Sequence, residues 1–253
     1  MDLISTVILG IVEGVTEFLP ISSTGHLILA SSLLKIPQSE FVKTFEIAIQ
    51  LGAICSVIAL YWRSLVLDAQ AIKRVLTAFI PTAAAGLIFY KLIKSFLGSR
   101  DIVLWSLFIG GIVIVIFELW YKRRAENNAQ TAITYKQAFL IGVFQSFAMV
   151  PGVSRAAATI IGGLLLGINR KAIVEFSFLL AVPTMAAATA LDLLKTAGSF
   201  TGGQFGLLII GFMVSFVTAM LAIKFLLSFI KKNSFILFGV YRVALVLLFP
   251  YVA

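Results

Sequence analysis

Glu13 and Glu17 stand four residues apart in an apolar stretch, so a helix carries both on one face. Two bare carboxylates at that spacing repel in low dielectric, and the pair relieves this by sharing a proton or by holding a divalent cation such as Mg²⁺ or Ca²⁺. Three hydroxyls follow in the run Pro20-Ile21-Ser22-Ser23-Thr24-Gly25-His26. Hydroxyls and free N–H groups at a helix start converge on an anion, although each of the three also serves as a plain N-cap. His26 is the single histidine of the chain and stands within three residues of Ser23, which suits a proton carrier or the partner of a nucleophile. In Pro151-Gly152-Val153-Ser154-Arg155, Arg155 is the one Lys or Arg between Lys136 and Arg170. A guanidinium is a rigid fork of donors that stays charged when buried, so Arg155 calls for a phosphate or for Glu13 or Glu17 as an ion-pair partner. Ser154 and Thr159, with Gly152, Gly162 and Gly163, suit close backbone approach to a ligand. Glu46 and Gln50, again four apart, either line the same cavity or bond helix to helix. Together these side chains suit phosphoryl transfer or hydrolysis, where positioning and charge neutralisation supply most of the catalysis.

The elements that position them are membrane elements. Of 253 residues, 60% are apolar and only 12% charged, and the mean hydropathy is +1.07. These values exclude an ordinary soluble domain and imply an all-α polytopic membrane protein. Cys55 is the lone cysteine, so neither an intramolecular disulfide nor a cysteine-rich metal site is available. The net charge of +9 is scattered through short connections, which speaks for topology and anionic membrane lipid and against a nucleic-acid partner. Met1-Asp2 lacks a basic leader and Glu13 and Glu17 interrupt the first apolar run, so a cleaved signal peptide is not expected. Hydropathy predicts six transmembrane helices, at Phe45–Trp62, Val75–Leu92, Ile102–Tyr121, Ile173–Leu191, Leu207–Ile230 and Ser234–Val252. Two further apolar regions, Leu3–Leu34 and Gln137–Ile168, are broken in the middle by the two polar runs above and read as re-entrant helix-loop-helix hairpins.

The two hairpins resemble each other. Gly10-Ile11-Val12-Glu13 parallels Gly142-Val143-Phe144-Gln145, Ser23 parallels Ser154 and Glu46 parallels Glu175, at offsets of 132, 131 and 129 residues. One membrane domain, 1–253, is thus expected to consist of two repeats, about 1–125 and 126–253. Three spans between the hairpins make the topology inverted, the layout of many transporters. Connections 63–74, 122–136, 169–172 and 231–233 hold eleven Lys or Arg, against six in 35–44, 91–101 and 192–206. The first set is expected on the cytoplasmic side and the N-terminal hairpin on the outer side.

The runs Glu13-Gly14-Val15-Thr16-Glu17-Phe18-Leu19-Pro20-Ile21-Ser22-Ser23-Thr24-Gly25-His26 and Pro151-Gly152-Val153-Ser154-Arg155 with Thr159 closely resemble the two signature motifs of the undecaprenyl-diphosphate phosphatase, or bacitracin-resistance, family. Phe45-Glu46-Ile47-Ala48-Ile49-Gln50-Leu51-Gly52 looks like the family's third patch, and the resemblance extends over essentially the whole chain. It implies hydrolysis of undecaprenyl diphosphate to the monophosphate carrier lipid reused in cell-wall synthesis, in the bacterial plasma membrane, at a site open to the outer side. The arginine motif departs from the family pattern: Ala156 and Ala157 stand where Ser and Gly are usual, which removes one hydroxyl from the expected phosphate contacts.

On this reading Arg155, Ser154, Thr159, Gly152, Gln50 and the turn Ser22, Thr24, Gly25 receive the diphosphate of a polyprenyl lipid. Glu13 and Glu17 hold a divalent cation or position a water. Ser23 attacks or orients the attacking water with His26 as general base and later acid, and exchanged roles with a phosphohistidine at His26 remain open. A secondary transporter or flippase for a phosphorylated lipid is the alternative, and a purely structural scaffold a third reading that leaves the buried charges unexplained. A homodimer is a further option the sequence leaves open.

Overall fold

The computed structural model describes residues 1–37, 39–89, 96, 99–122, 130–196 and 202–251. Ten α-helices make up these residues, with one isolated bridge pair, Gln130 and Ile168, as their only β-type pairing. They are α1 (Leu3–Thr16), α2 (Ser23–Leu33), α3 (Glu40–Val66), α4 (Ala69–Ile88), α5 (Arg100–Lys122), α6 (Tyr135–Ser146), α7 (Arg155–Leu165), α8 (Arg170–Thr196), α9 (Gly202–Phe229) and α10 (Ile236–Leu248). Five of them, α3, α4, α5, α8 and α9, are long and apolar enough to cross a membrane, whereas α1, α7 and α10 are apolar but shorter. The expected sixth span, Ser234–Val252, is represented by α10 and one further turn, Phe249–Tyr251, which is less than a full crossing by length.

Polar residues set the helix ends. The carboxylate of Asp2 accepts from Ser5 N–H at the start of α1, Ser39 from Val42 N–H at α3, and Asp68 from Gln70 and Ala71 at α4. Thr134 and Gln137 form a reciprocal capping box at α6. Because Asp68 starts α4 two residues after α3 ends, the connection expected at 63–74 shrinks to Leu67–Asp68, and Arg63, Lys73 and Arg74 lie on helix ends. Long basic side chains extend a helix past its apolar stretch in this way, carrying the charge outward on an aliphatic stem. The span end at Leu92, the connection carrying Lys91 and Lys94, residues 123–129 and 197–201 of the connections expected at 122–136 and 192–206, and Val252 lie outside the described residues.

Both broken regions are built alike. α1 stops at Thr16 and α2 begins at Ser23; α6 stops at Ser146, one 3₁₀ turn (Phe147–Met149) follows, and α7 begins at Arg155. Ser22 (φ 72°) and Ser154 (φ 78°) cap the second half-helices from the same left-handed backbone, accepting from Gly25 and Ala157 N–H. The half-helices also end alike, at Lys35 (φ 52°) and Gly167 (φ 80°), where Ile36 N–H reaches back to Ser31 and Ile168 N–H to Gly163. Each pair is 132 positions apart. Ser154 is therefore the counterpart of Ser22, not of Ser23 as the sequence comparison suggests, and Ser23 shares its position with Arg155: both are the first residue of a half-helix.

Packing follows the same pairing. α1 lies on α9 and α6 on α4, α3 and α8 pack together, and α5 packs on α10. Small residues let these backbones meet: a Cβ on Gly52 would strike the carbonyl of Phe212, and one on Gly142 the carbonyl of Ala78. The main core joins Phe18, Phe117, Ile141, Ile160, Phe178 and Leu226, while Ile4, Leu87, Trp105, Ile116 and Leu248 remain exposed on the outside, as on a surface that faces lipid. A Cβ at Gly14 would lie 2.5 Å from the carbonyl of Ser215 and on the Thr218 hydroxyl, so Gly14→Ala must push α1 off α9. We expect it to lower stability by about 1–3 kcal/mol, the range of overpacking substitutions, read as a lower melting temperature of the detergent-purified protein.

Candidate active site

The two polar breaks meet. The Ser23 hydroxyl donates to Glu17 Oε2, and the Arg155 guanidinium reaches Glu17 Oε1 through one terminal nitrogen at 3.2 Å. Glu17 thereby joins the start of α2 to the start of α7. The other terminal nitrogen of Arg155 donates to the Ser177 carbonyl on α8 at 2.9 Å, and the Phe18 ring lies 5.8 Å from the guanidinium carbon. Arg155 Nε is buried without a hydrogen-bond partner, and so is Glu13 Oε2. Orphaned donors and acceptors cost free energy, on the order of 1–3 kcal/mol each, so a site that keeps one of each sign beside an ion pair is suited to a ligand that satisfies both.

His26 is held elsewhere. Its Nδ1 lies 2.7 Å from the Ser22 carbonyl and its Nε2 lies 2.8 Å from the Tyr241 hydroxyl on α10. The Ser23–His26 pair expected from the sequence is not a hydrogen bond here: the serine turns to Glu17 instead, because Ser22, not Ser23, is the cap and Ser23 as the next residue faces α1. Among the other expected ligand residues, Thr24 is exposed at the first turn of α2. A Cβ on Gly25 would meet the Leu107 side chain at 3.2 Å, and the hydroxyls of Ser22 and Ser154 are engaged as caps. Thr159 is fully buried and bonds the carbonyls of Arg155 and Ala156 and the Ser177 hydroxyl, so it supports Arg155 from behind. Gln50 accepts from Thr189 at 3.4 Å, which is the helix-to-helix option. Gly152 (φ 94°) approaches protein backbone, since a Cβ there would meet the Val103 carbonyl at 2.7 Å. Ala156 and Ala157 are buried in the apolar core, so the hydroxyl usual in the motif would point into packing.

Glu13 feels the charges of Glu17, Glu46 and Arg155. Its free Oε2 beside Glu17 fits one cation ligand, and no group of three or more His, Cys, Asp or Glu side chains suited to a metal gathers among the described residues. A divalent ion at Glu13 and Glu17 would therefore take most of its ligands from phosphate oxygens and water.

One residue the sequence reading passed over organises the centre. Arg242, wholly buried on α10, donates to five main-chain carbonyls: Pro20 (3.4 Å), Ser106 (2.9 Å), Leu107 (3.1 Å), Gly152 (2.7 Å) and Val153 (3.0 Å). Pro20 belongs to the first break, Gly152 and Val153 to the second. The signal was present, an arginine within a predicted span, and such a residue always needs a reason. Tyr241 and Ser177 carried no comparable signal, being an aromatic and a small hydroxyl in apolar helices.

An all-helical membrane protein whose broken helices gather Glu, Ser, His and Arg side chains is of the lipid-phosphate-handling type by chemistry. The bacitracin resistance protein BacA family model matches residues 6–248, and the chain belongs to this family. It is 53% identical to an undecaprenyl-diphosphatase of Sulfurihydrogenibium sp. over 98% of each chain. Similar proteins under the same name are found in Aquifex aeolicus (50% identical, over 96% of this chain and 95% of the relative) and Persephonella marina (50%, over 98% of each).

Arg242→Met keeps the length of the side chain but strips the five carbonyls of their donor. We expect a loss of at least about 3 kcal/mol, enough to prevent recovery of folded protein or to drop its melting temperature sharply, and Arg242→Lys, a point charge without the fork, to keep only part of the wild-type stability.

Proposed function

We propose that this protein hydrolyses undecaprenyl diphosphate to undecaprenyl phosphate and inorganic phosphate, returning the carrier lipid to cell-wall polymer synthesis. The carrying observation is the Ser23–Glu17–Arg155 chain, with the free Arg155 Nε and Glu13 Oε2 beside it. A nucleophile type, a carboxylate to take its proton and a guanidinium to neutralise phosphate are what the reaction asks for. A lipid flippase needs the binding residues but not a hydroxyl bonded to a carboxylate.

The same reading extends to topology. The shared geometry of Ser22 and Ser154, and of Lys35 and Gly167, supports two repeats, about 1–125 and 126–253, and the two broken regions are read as re-entrant hairpins. Three long helices, α3, α4 and α5, separate them, so the repeats are inverted. With α10 as a short sixth span, the active site opens to the outer side of the bacterial inner membrane. A homodimer is compatible with this arrangement.

In the first step the Ser23 oxygen attacks the terminal phosphorus while its proton passes to Glu17, and the bond to the bridging oxygen breaks to release undecaprenyl phosphate. Arg155 turns one or more N–H groups to the phosphate, and the Thr24 hydroxyl lines the remaining oxygens with those of Ser22 and Ser154, which accept the cap bonds and keep their own protons to donate. In the second step water attacks the phosphoserine, His26 takes the water's proton, and Glu17 returns its own to the Ser23 oxygen. A cation held by Glu13 and Glu17, Mg²⁺ or Ca²⁺, would supply charge neutralisation at the diphosphate.

Three measurements test this. Purified protein in detergent should release phosphate from undecaprenyl diphosphate, with chelator suppressing release; absence of release under Mg²⁺ and Ca²⁺ alike would overturn the enzyme reading in favour of the carrier. Glu17→Gln and Arg155→Lys should each lower kcat about 10²-fold or more. His26→Ala should accumulate labelled phosphoenzyme at Ser23, and Ser23→Ala none; label retained in the serine variant removes Ser23 as nucleophile.

A further inference from the structure

Tyr241 is used by none of the steps above, yet its hydroxyl sits on the one atom of His26 able to react. The Ser22 carbonyl has lone pairs and no hydrogen, so the ring nitrogen 2.7 Å from it, Nδ1, carries the proton. The Arg242 guanidinium, next in sequence to Tyr241, already sets a positive charge in reach of the ring, and a neutral imidazole adds no second one. In the neutral ring with Nδ1 protonated, Nε2 holds the lone pair. The Tyr241 hydroxyl, 2.8 Å away and with ring planes 8° apart, then donates to it.

We propose that Tyr241 is a positioning residue for the reaction: it holds His26 with Nε2 as the reactive atom and occupies that lone pair until the lipid headgroup arrives. The inference rests on the phosphatase reading for its role in turnover, though not for the geometry of the ring. Two features fit this placement to a group that must both hold and yield. The backbone at this point of α10 is immobilised, because the neighbouring Arg242 bonds five carbonyls on three other segments. The Tyr241 side chain, by contrast, is 42% exposed while His26 is buried, so the hydroxyl swings away without disturbing the core. A headgroup oxygen or the attacking water then takes its place at Nε2, and Nε2 accepts the water's proton directly. The phenol donates a hydrogen bond and neither gains nor loses a proton.

The chain has a single histidine, which makes its ring nitrogens readable without background. In wild-type protein with nitrogen-15-labelled histidine, the NMR shifts are expected to show Nδ1 protonated and Nε2 bare; an Nε2–H tautomer overturns the assignment without any variant. In Tyr241→Phe, which keeps the ring and loses only the hydroxyl, carbethoxylation of His26 by diethyl pyrocarbonate should run about five-fold faster, the value of one net hydrogen bond. The same variant should lose kcat by about ten-fold with KM little changed, as a misoriented base does. An unchanged acylation rate in folded Tyr241→Phe, or a raised KM with kcat intact, would overturn the proposal. The NMR and acylation readings need no turnover, so a protein that proved not to release phosphate would refute the enzyme reading and leave the cap separately decided.

Discussion

A helix that stops and restarts inside an apolar slab leaves main-chain carbonyls where no water can reach them, and each must find a donor within the protein. This chain breaks two helices, brings the breaks together and answers with a single guanidinium. Arg242 bonds Pro20 of one break and Gly152 and Val153 of the other, and ties both to Ser106 and Leu107 of α5. Its own burial is tolerable only because those carbonyls surround it. Charge and backbone therefore stabilise each other, and neither the breaks nor the arginine would be stable at that place alone. Gly110, on which a Cβ would collide with the guanidinium, and Gly239, whose Cβ would meet the Gly111 carbonyl at 2.7 Å, leave the space in which α5 and α10 close around it.

With the breaks held together, the starts of α2 and α7 come to opposite sides of Glu17. Ser23 and Arg155 occupy equivalent positions on their half-helices, and both turn to the same carboxylate, one as an alcohol and one as a cation. The two segments otherwise differ in charge. Glu13 has Gln145 as its counterpart: the Gln145 amide nitrogen donates to Thr82 and Thr184 in a buried hydroxyl cluster, while its Oε1, like Glu13 Oε2, has no hydrogen-bond partner. One half of the molecule thus carries Glu13, Glu17, Ser23 and the histidine, while the other contributes the arginine and a polar packing contact. A second ion pair, Arg170 with both oxygens of Glu118 at 2.6 and 2.8 Å, joins α5 to the start of α8. Its buried carboxylate is matched by a bidentate fork, so it serves packing and leaves the chemistry at the breaks.

The chemical types of the site, the membrane setting and the two interrupted helices were legible in the sequence, because each rests on a local property: hydropathy over a helix length, i and i+4 spacing, or a Pro, Gly and Ser run within an apolar stretch. Glu13, Glu17, Ser23, His26 and Arg155 are named by type and spacing alone. What each touches was decided by tertiary structure. Which serine caps depends on a left-handed backbone at Ser22 and Ser154, and this one-residue difference turns Ser23 toward Glu17 and away from His26. The partner of His26 comes from 215 residues further along the chain, and the Ser177 hydroxyl that meets Thr159 comes from the next helix. Arg242 was visible as a charge in an apolar run, but its meaning lies in five carbonyls from three separate segments. Spacing along a helix is a local quantity and survives in the sequence. Hydrogen bonding between segments depends on where the whole chain brings its backbone, which no local pattern records.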